Sequence, residues 1–359
     1  MPFLLVDGQK LPLDNIAFNE AEKIFEVKSR ADIKGNVLKF DYKLKPNREN
    51  SEPQDYRLFH FFKKNYSQND IFQVYEYERD TRIGWIFPLQ SLLSADHDHA
   101  ENEHFLRYAF AAFQKLLINP NNLYEFSTGV QEIYDISSLY DENSILLVLS
   151  NKKVHTDFAL ELYLPHLFKY GYYIVNKNDF ESIIQSHSET RFTLKQIVSL
   201  FQDEGYIKEL FQTLIYETHH LTKFHFLYQI IELFIEKILH YELALLSDKL
   251  KRKKVYTHEF KEKLNSFMSE DKRINKLFTE HVKDLDIDEL QKKCNLLLRS
   301  IGKEEIEGKG IADSLYSVRN FIVHDYRNIP KQDIDTLKAI NMQFEILIID
   351  MLLNYFNPS

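Results

Sequence analysis

Residues 221–247 read LTKFHFLYQIIELFIEKILHYELALLS. Phe224, Leu227, Ile231, Phe234, Ile238 and Leu245 fall one or two turns apart in this run, which predicts a long amphipathic helix. Working outward toward the C-terminus, a basic run follows, then helical patterns at 258–268, 272–283 and 288–301. A Gly-containing loop, IGKEEIEGKG (301–310), leads to a helix over 312–327. The last helix begins near Pro330, a residue suited to a first helical turn. Its apolar positions are Leu337, Ile340, Phe344, Leu347, Met351 and Tyr355.

On the N-terminal side the period changes, and strand-like patterns are confined to the chain before about residue 190. Leu38, Phe40, Tyr42 and Leu44 alternate with Lys39, Asp41 and Lys43, as in a half-buried strand. IFQVYEY (71–77) and RIGWIF (82–87) are aromatic and β-branched, and ERDTR between them suits a hairpin turn. Phe105, Ala109, Ala112, Phe113 and Leu116 mark the buried stripe of a helix that Asn119-Pro120 closes. A buried strand is expected at 145–149, a helix near 155–169 and a further strand in GYYIV (171–175). The fold class is therefore an α+β, β-rich domain over 1–195 followed by an all-α helical domain over 196–359. The first domain is of unknown role: sensor, regulatory or substrate-selecting.

Composition narrows the function classes. The chain has 359 residues, and a length near 150 residues per domain suits two. One cysteine, Cys294, excludes an intramolecular disulfide and a cysteine-rich zinc site, and fits a reducing cytoplasm. The apolar runs ILLVL and FEILII fall far short of the roughly 20 residues of a membrane span. MPFLLVDGQKLPLD lacks a basic n-region, so no signal peptide is expected. The net charge of -9 speaks against a nucleic-acid partner only for the chain as a whole. Over 249–299, 14 Lys+Arg face 9 Asp+Glu, a local +5. Within it KLKRKK (249–254) presents Lys249, Lys251, Arg252, Lys253 and Lys254, residues suited to phosphate contacts that position RNA without reading sequence. The same run would serve equally as a solvated inter-helix turn.

The segment ADSLYSVRNFIVHDYRNIP (312–330) carries the chemistry. At about 100° per residue, Tyr316, Asn320 and His324 line one face, with Arg327 three residues on, while Leu315, Val318 and Ile322 turn to another. Arg319 lies about 140° from His324 around the helix. Convergence of the two requires that the helix unwind, that the Arg side chain reach around, or that a second subunit complete the site. Arg gives phosphate a bidentate fork, and His can move a proton near neutrality. The R-x4–6-H spacing decides nothing by itself, since Arg252 and His258 match it too.

RNFIVH followed by Asp325-Tyr326, one helix before the C-terminus, resembles the R-N-x3-H signature of the HEPN superfamily, in particular its ApeA-like branch associated with bacterial phage defence. KFHFLYQIIELFIEKIL resembles the aromatic-rich helix that opens such domains, with Glu232 at its acidic position. The resemblance covers about 200–359. It implies a metal-independent endoribonuclease, acting as a homodimer through the helical domain, that cuts RNA by attack of the 2′-hydroxyl. Arg319 would bind and polarise the scissile phosphate, His324 would handle the proton or orient the hydroxyl, and Asn320 would position the pair. Lys249, Lys251, Arg252, Lys253, Lys254, Tyr316 and Arg327 would contact the RNA. The family setting suggests a toxin-like, abortive-infection hydrolase of the cytoplasm, with a phage-derived trigger or regulatory partner at the N-terminal domain. The alternative is a non-catalytic HEPN-containing adaptor, binding a protein or nucleotide.

SADHDHAENEH (94–104) collects Asp96, His97, Asp98, His99, Glu101, Glu103 and His104, which could hold a divalent ion and support a metal-dependent hydrolase. Its place directly before the helix at 105–118 suits equally the positive end of a helix dipole. No distant partner ligand is identifiable, so no metal and no cofactor is expected. Cys294, before an apolar run, suits an inert core position.

Overall fold

The aromatic and β-branched runs of the first half pair into sheets, and the periodic runs of the second half coil into helices. The computed structural model describes residues 3–6, 9–12, 15–29, 37–49, 51–118, 125–126, 133–176, 191–202, 205–252, 256–282, 285–303, 310–325 and 333–356. Met1–Leu160 with Tyr170–Lys195 forms one compact unit, and Glu161–Lys169 with Gln196–Ser359 the other.

In the first unit the elements are β1 (Phe3–Val6), β2 (Gln9–Pro12), β3 (Asn15–Asn19), β4 (Ile24–Lys28), β5 (Val37–Asp41), β6 (Tyr56–Phe62), β7 (Phe72–Glu76), β8 (Thr81–Pro88), α1 (Glu103–Ile118), β9 (Glu125–Phe126), β10 (Ile133–Tyr134), β11 (Ser144–Ser150) and β12 (Arg191–Leu194). They make three sheets, ordered β2-β1-β9, β10-β5-β4-β3 and β12-β7-β8-β11-β6. The expected strands at 38–44, 71–77, 82–87 and 145–149 are all present at their cores. β7 and β8 pair antiparallel, and Asp80 in the turn takes φ 49, a left-handed conformation that Asp tolerates.

β11 is buried at every position because β8 and β6 flank it on both edges. Gly84 of β8 sits opposite Leu149. A Cβ there would lie 2.1 Å from the Val148 carbonyl oxygen, so only glycine fits. α1 touches β3 of one sheet and β6, β8 and β11 of another. It therefore buries ten residues rather than a single stripe, as a helix enclosed by sheets must. Phe110 and Phe113 meet Phe25 at 5.2 and 5.0 Å between ring centroids, and Tyr42 at 5.4 and 5.1 Å. Such aromatic pairs add to the area they bury.

Two expectations fail here. GYYIV is no strand: Tyr173 makes one isolated bridge with Phe62, after Gly171 at φ 77 has turned the backbone out of the extended region. Strand pairing also continues past residue 190, in β12, which runs parallel to β7.

The second unit contains α2 (Leu164–Lys169), α3 (Gly205–Leu214), α4 (His220–Lys251), α5 (Thr257–Met268), α6 (Glu270–Lys276), α7 (Asp288–Ser300), α8 (Ile311–Asp325) and α9 (Ile334–Asn354). It is all helical. Of the helix expected near 155–169, only α2 and one 3-10 turn before it form. α3 was not foreseen, although Ile207, Leu210, Phe211 and Leu214 have helical spacing and are buried. The helix expected over 272–283 is α6 followed by a π-helical turn, Leu277–His281. α4 packs along α9, where Phe224 meets Phe344 at 5.3 Å and Phe234 meets Tyr355 at 5.3 Å. On α4, Leu246 is buried and Leu245 is exposed, which corrects the apolar stripe at its last turn. Pro330 lies outside the described residues. No helix among the described residues is long and apolar enough to cross a membrane.

Candidate functional site

α8 begins after Gly310 and anchors itself through Ile311, Leu315, Val318 and Ile322, all buried. Ser314, on the same side, donates to Asn295 of α7 at 2.8 Å. That packing fixes the rotation of the helix and so decides where the polar residues go. Tyr316, Arg319 and Asn320 are partly buried, and His324 is exposed in the last turn.

Arg319 is held from several sides. Its Nη1 donates to Asn320 Oδ1 at 3.1 Å and its Nη2 to Glu232 Oε1 of α4 at 3.4 Å. The guanidinium lies 5.6 Å from the centroid of the Tyr228 ring, within cation–π range. Tyr228 is itself fixed, donating its hydroxyl to Glu270 Oε1 at 3.2 Å. Burial, then Glu270, pushes the Tyr228 phenol well above its ordinary range, so it stays a neutral donor. Arg319 Nε is buried without a hydrogen-bond partner. The result is a guanidinium with a set orientation whose Nη atoms each keep a second N–H beyond the bonds to Asn320 and Glu232.

α8 remains helical through Asp325, so it does not unwind to bring His324 round to Arg319. No hydrogen bond joins Arg319 and His324, whose side chains leave the helix on different faces. Of the three routes to convergence, unwinding is closed, and the Arg side chain is turned to Glu232.

The basic run divides. Lys249, Lys251 and Arg252 end α4 and are exposed, with Arg252 3.6 Å from Asp248. Lys253, Lys254 and Arg327 lie outside the described residues. Lys249 lines a cleft of about 360 Å³ with Lys263 of α5 and Lys272 and Lys276 of α6. Lys276 is paired with Glu242 and, at 3.4 Å, with Glu280. Tyr256, just beyond the basic run, is 75% exposed and stacks on His258. Lys263, Lys272 and Lys276 carry no motif, and only the approach of α5 and α6 to α4 collects them.

The His/Asp segment before α1 is used structurally. His97 is buried, with Nε2 3.0 Å from the Ser91 carbonyl, and its Nδ1 accepts from the His99 amide at 3.2 Å. His99 packs edge-on to Trp85 at 5.3 Å. Burial holds both imidazoles below their ordinary value, which favours neutral packing groups. Among the described residues no group of three or more His, Cys, Asp or Glu could hold a metal ion. Cys294 is buried in α7, and burial pushes its thiol far up.

No protein-family model matches the chain, and neither the curated proteins nor the solved structures give a match.

Proposed function

We propose that the helical unit is a metal-independent endoribonuclease of the HEPN type, active as a homodimer in the cytoplasm. One observation carries the reading: Arg319 is oriented by Glu232, Asn320 and Tyr228, on the helix whose last turn presents His324 to solvent. Within one chain the two groups diverge, and a second copy meeting this face would supply the missing half. Arg319, through the Nη hydrogens that Asn320 and Glu232 leave unused, would bind a non-bridging oxygen of the scissile phosphate and stabilise the charge that builds on it. His324 would take the proton of the 2′-hydroxyl or deliver one to the leaving oxygen. The bond from O2′ to phosphorus forms as the bond to O5′ breaks, leaving a 2′,3′-cyclic phosphate and a 5′-hydroxyl. The lysine-lined cleft and exposed Tyr256 suit backbone contacts and base stacking. The N-terminal unit would sense a phage-derived trigger or restrain the nuclease, as in a toxin-like abortive-infection effector.

The test is RNA incubation in excess EDTA with end-group analysis. Cleavage should fall about 100-fold or more in His324→Ala and in Arg319→Ala, the scale of a lost proton-transfer group. Metal-dependent cleavage, or full activity in both variants, refutes the assignment.

A second reading is a non-catalytic adaptor, favoured by the protein partners that already engage one N–H of each Nη of Arg319. It predicts a stable complex and no cleavage in the presence of that partner.

A further inference from the structure

We infer that the N-terminal unit carries a binding site for a phosphate group, in the pocket where Arg82, Arg107 and Lys153 converge with Tyr56 and Ser150. This goes beyond RNA cleavage and does not rest on it. The site is assembled from the ends of elements. Tyr56 opens β6 directly opposite Ser150, the last residue of β11. Arg82 comes from the start of β8, Arg107 from the second turn of α1, and Lys153 from the turn that follows β11.

The charge there is unbalanced. Four fixed cations line the pocket with a single carboxylate, Asp55, and Lys152 takes that carboxylate at 2.8 Å. Arg82 Nη1 finds only the neutral amide of Gln73, at 3.4 Å. Arg107 reaches Glu49 no closer than 3.9 Å, and that side chain is 78% exposed. Arg107 Nε is buried and has no hydrogen-bond partner, an expensive omission for a charged donor. No ion pair joins Lys153 to a carboxylate among the described residues. Burial, then Arg82 and Arg107, holds the Lys153 ammonium below its ordinary value. His104, at the mouth, is lowered by burial and then by the same two arginines and Lys153. Like charges gathered around a cavity are stabilised when an anion enters it.

The chemistry of the donors selects the ligand. Two guanidinium groups and an ammonium, with the Ser150 and tyrosine hydroxyls beside them, match the tetrahedral oxygens of phosphate. The cavity is about 180 Å³, below the roughly 300 Å³ at which small-molecule sites begin. It therefore takes inorganic phosphate, or the phosphate end of a small phosphomonoester whose remainder stays outside.

Isothermal titration of the full chain with inorganic phosphate and with ribose 5-phosphate, at fixed ionic strength, tests the site. Saturable binding of at least one probe is expected, weakened about tenfold or more in Arg107→Gln and in Lys153→Ala and unchanged in Lys338→Ala, an exposed lysine of α9 in the other unit. Equal affinities identify free phosphate as the ligand, and tighter binding of the ester identifies a phosphorylated metabolite. Lys153→Ala removes only a half-buried ammonium from a turn that is part of no helix or strand, and keeps the test valid where Arg107→Gln misfolds. Lack of saturation by either probe, or binding that Lys153→Ala leaves intact, overturns the inference.

Discussion

Arg319 and Glu232 show what a single ion pair does and does not contribute. Their side chains are 24% and 41% exposed and 3.4 Å apart, so the pair is worth no more than about 1 kcal/mol. Its consequence is orientation. Glu232→Gln should lower stability by about 1 kcal/mol or less, measured as the urea midpoint, while the proposed RNA cleavage should drop about tenfold because the guanidinium is no longer aimed. A parallel fall in both quantities would make Glu232 a structural residue only. Helical spacing puts Asn320 and His324 on one face, whereas Arg319 as their partner and Glu232 are suggested only by the resemblance to the HEPN motif. The reach of Arg319 to Tyr228 could not be read from the sequence, since spacing along one helix says nothing about the neighbour a long side chain chooses. The cations at 82, 107 and 153 were likewise invisible, each ordinary within its own segment.

Elements were legible where period and burial agreed. α4, α8 and β11 each present a pattern that their surroundings then satisfy. GYYIV fails because its aromatic residues are buried without sheet partners beyond one bridge, and β propensity measures burial on a pleated surface more than backbone preference. Close approach is the other thing that sequence conceals. Gly84 looks like a weak point in a strand, yet Val148 and Leu149 of β11 leave no room for a methyl group. Gly84→Ala should cost about 1–3 kcal/mol, the range for overpacking, and show as a lower urea midpoint. Wild-type stability in that variant would mean that β8 and β11 can separate without cost. Cys294 offers a converse test on α7. Its buried, protonated thiol should resist alkylation at pH 8 and react at the ordinary rate once urea opens the helix.

The whole molecule carries two built-in reporters. Its single tryptophan, Trp85, is fully buried in the sheet-rich unit, and its single cysteine lies in the helical one. Trp85 fluorescence therefore follows the first unit and thiol reactivity the second, without engineered labels. The first unit also holds several imidazoles that burial keeps neutral. His60 is lowered from 6.5 to about 4 by burial, against a smaller opposing pull from Asp141, and His97 and His99 are displaced in the same direction. The unfolded chain binds protons at these sites from about pH 6.5 downward, while the folded unit refuses the His60 proton until about pH 4. Unfolding then takes up protons, so stability is full above pH 6.5 and falls as the pH drops through that window. Each such group contributes a slope of up to about 1.4 kcal/mol per pH unit. Urea unfolding followed at Trp85 should show midpoints that fall steadily from pH 7 to pH 4.5. His60→Gln removes one titrating group, so its curve should be shallower than wild type over the same range. Identical slopes would mean that His60 is as accessible to protons in the folded unit as in the open chain.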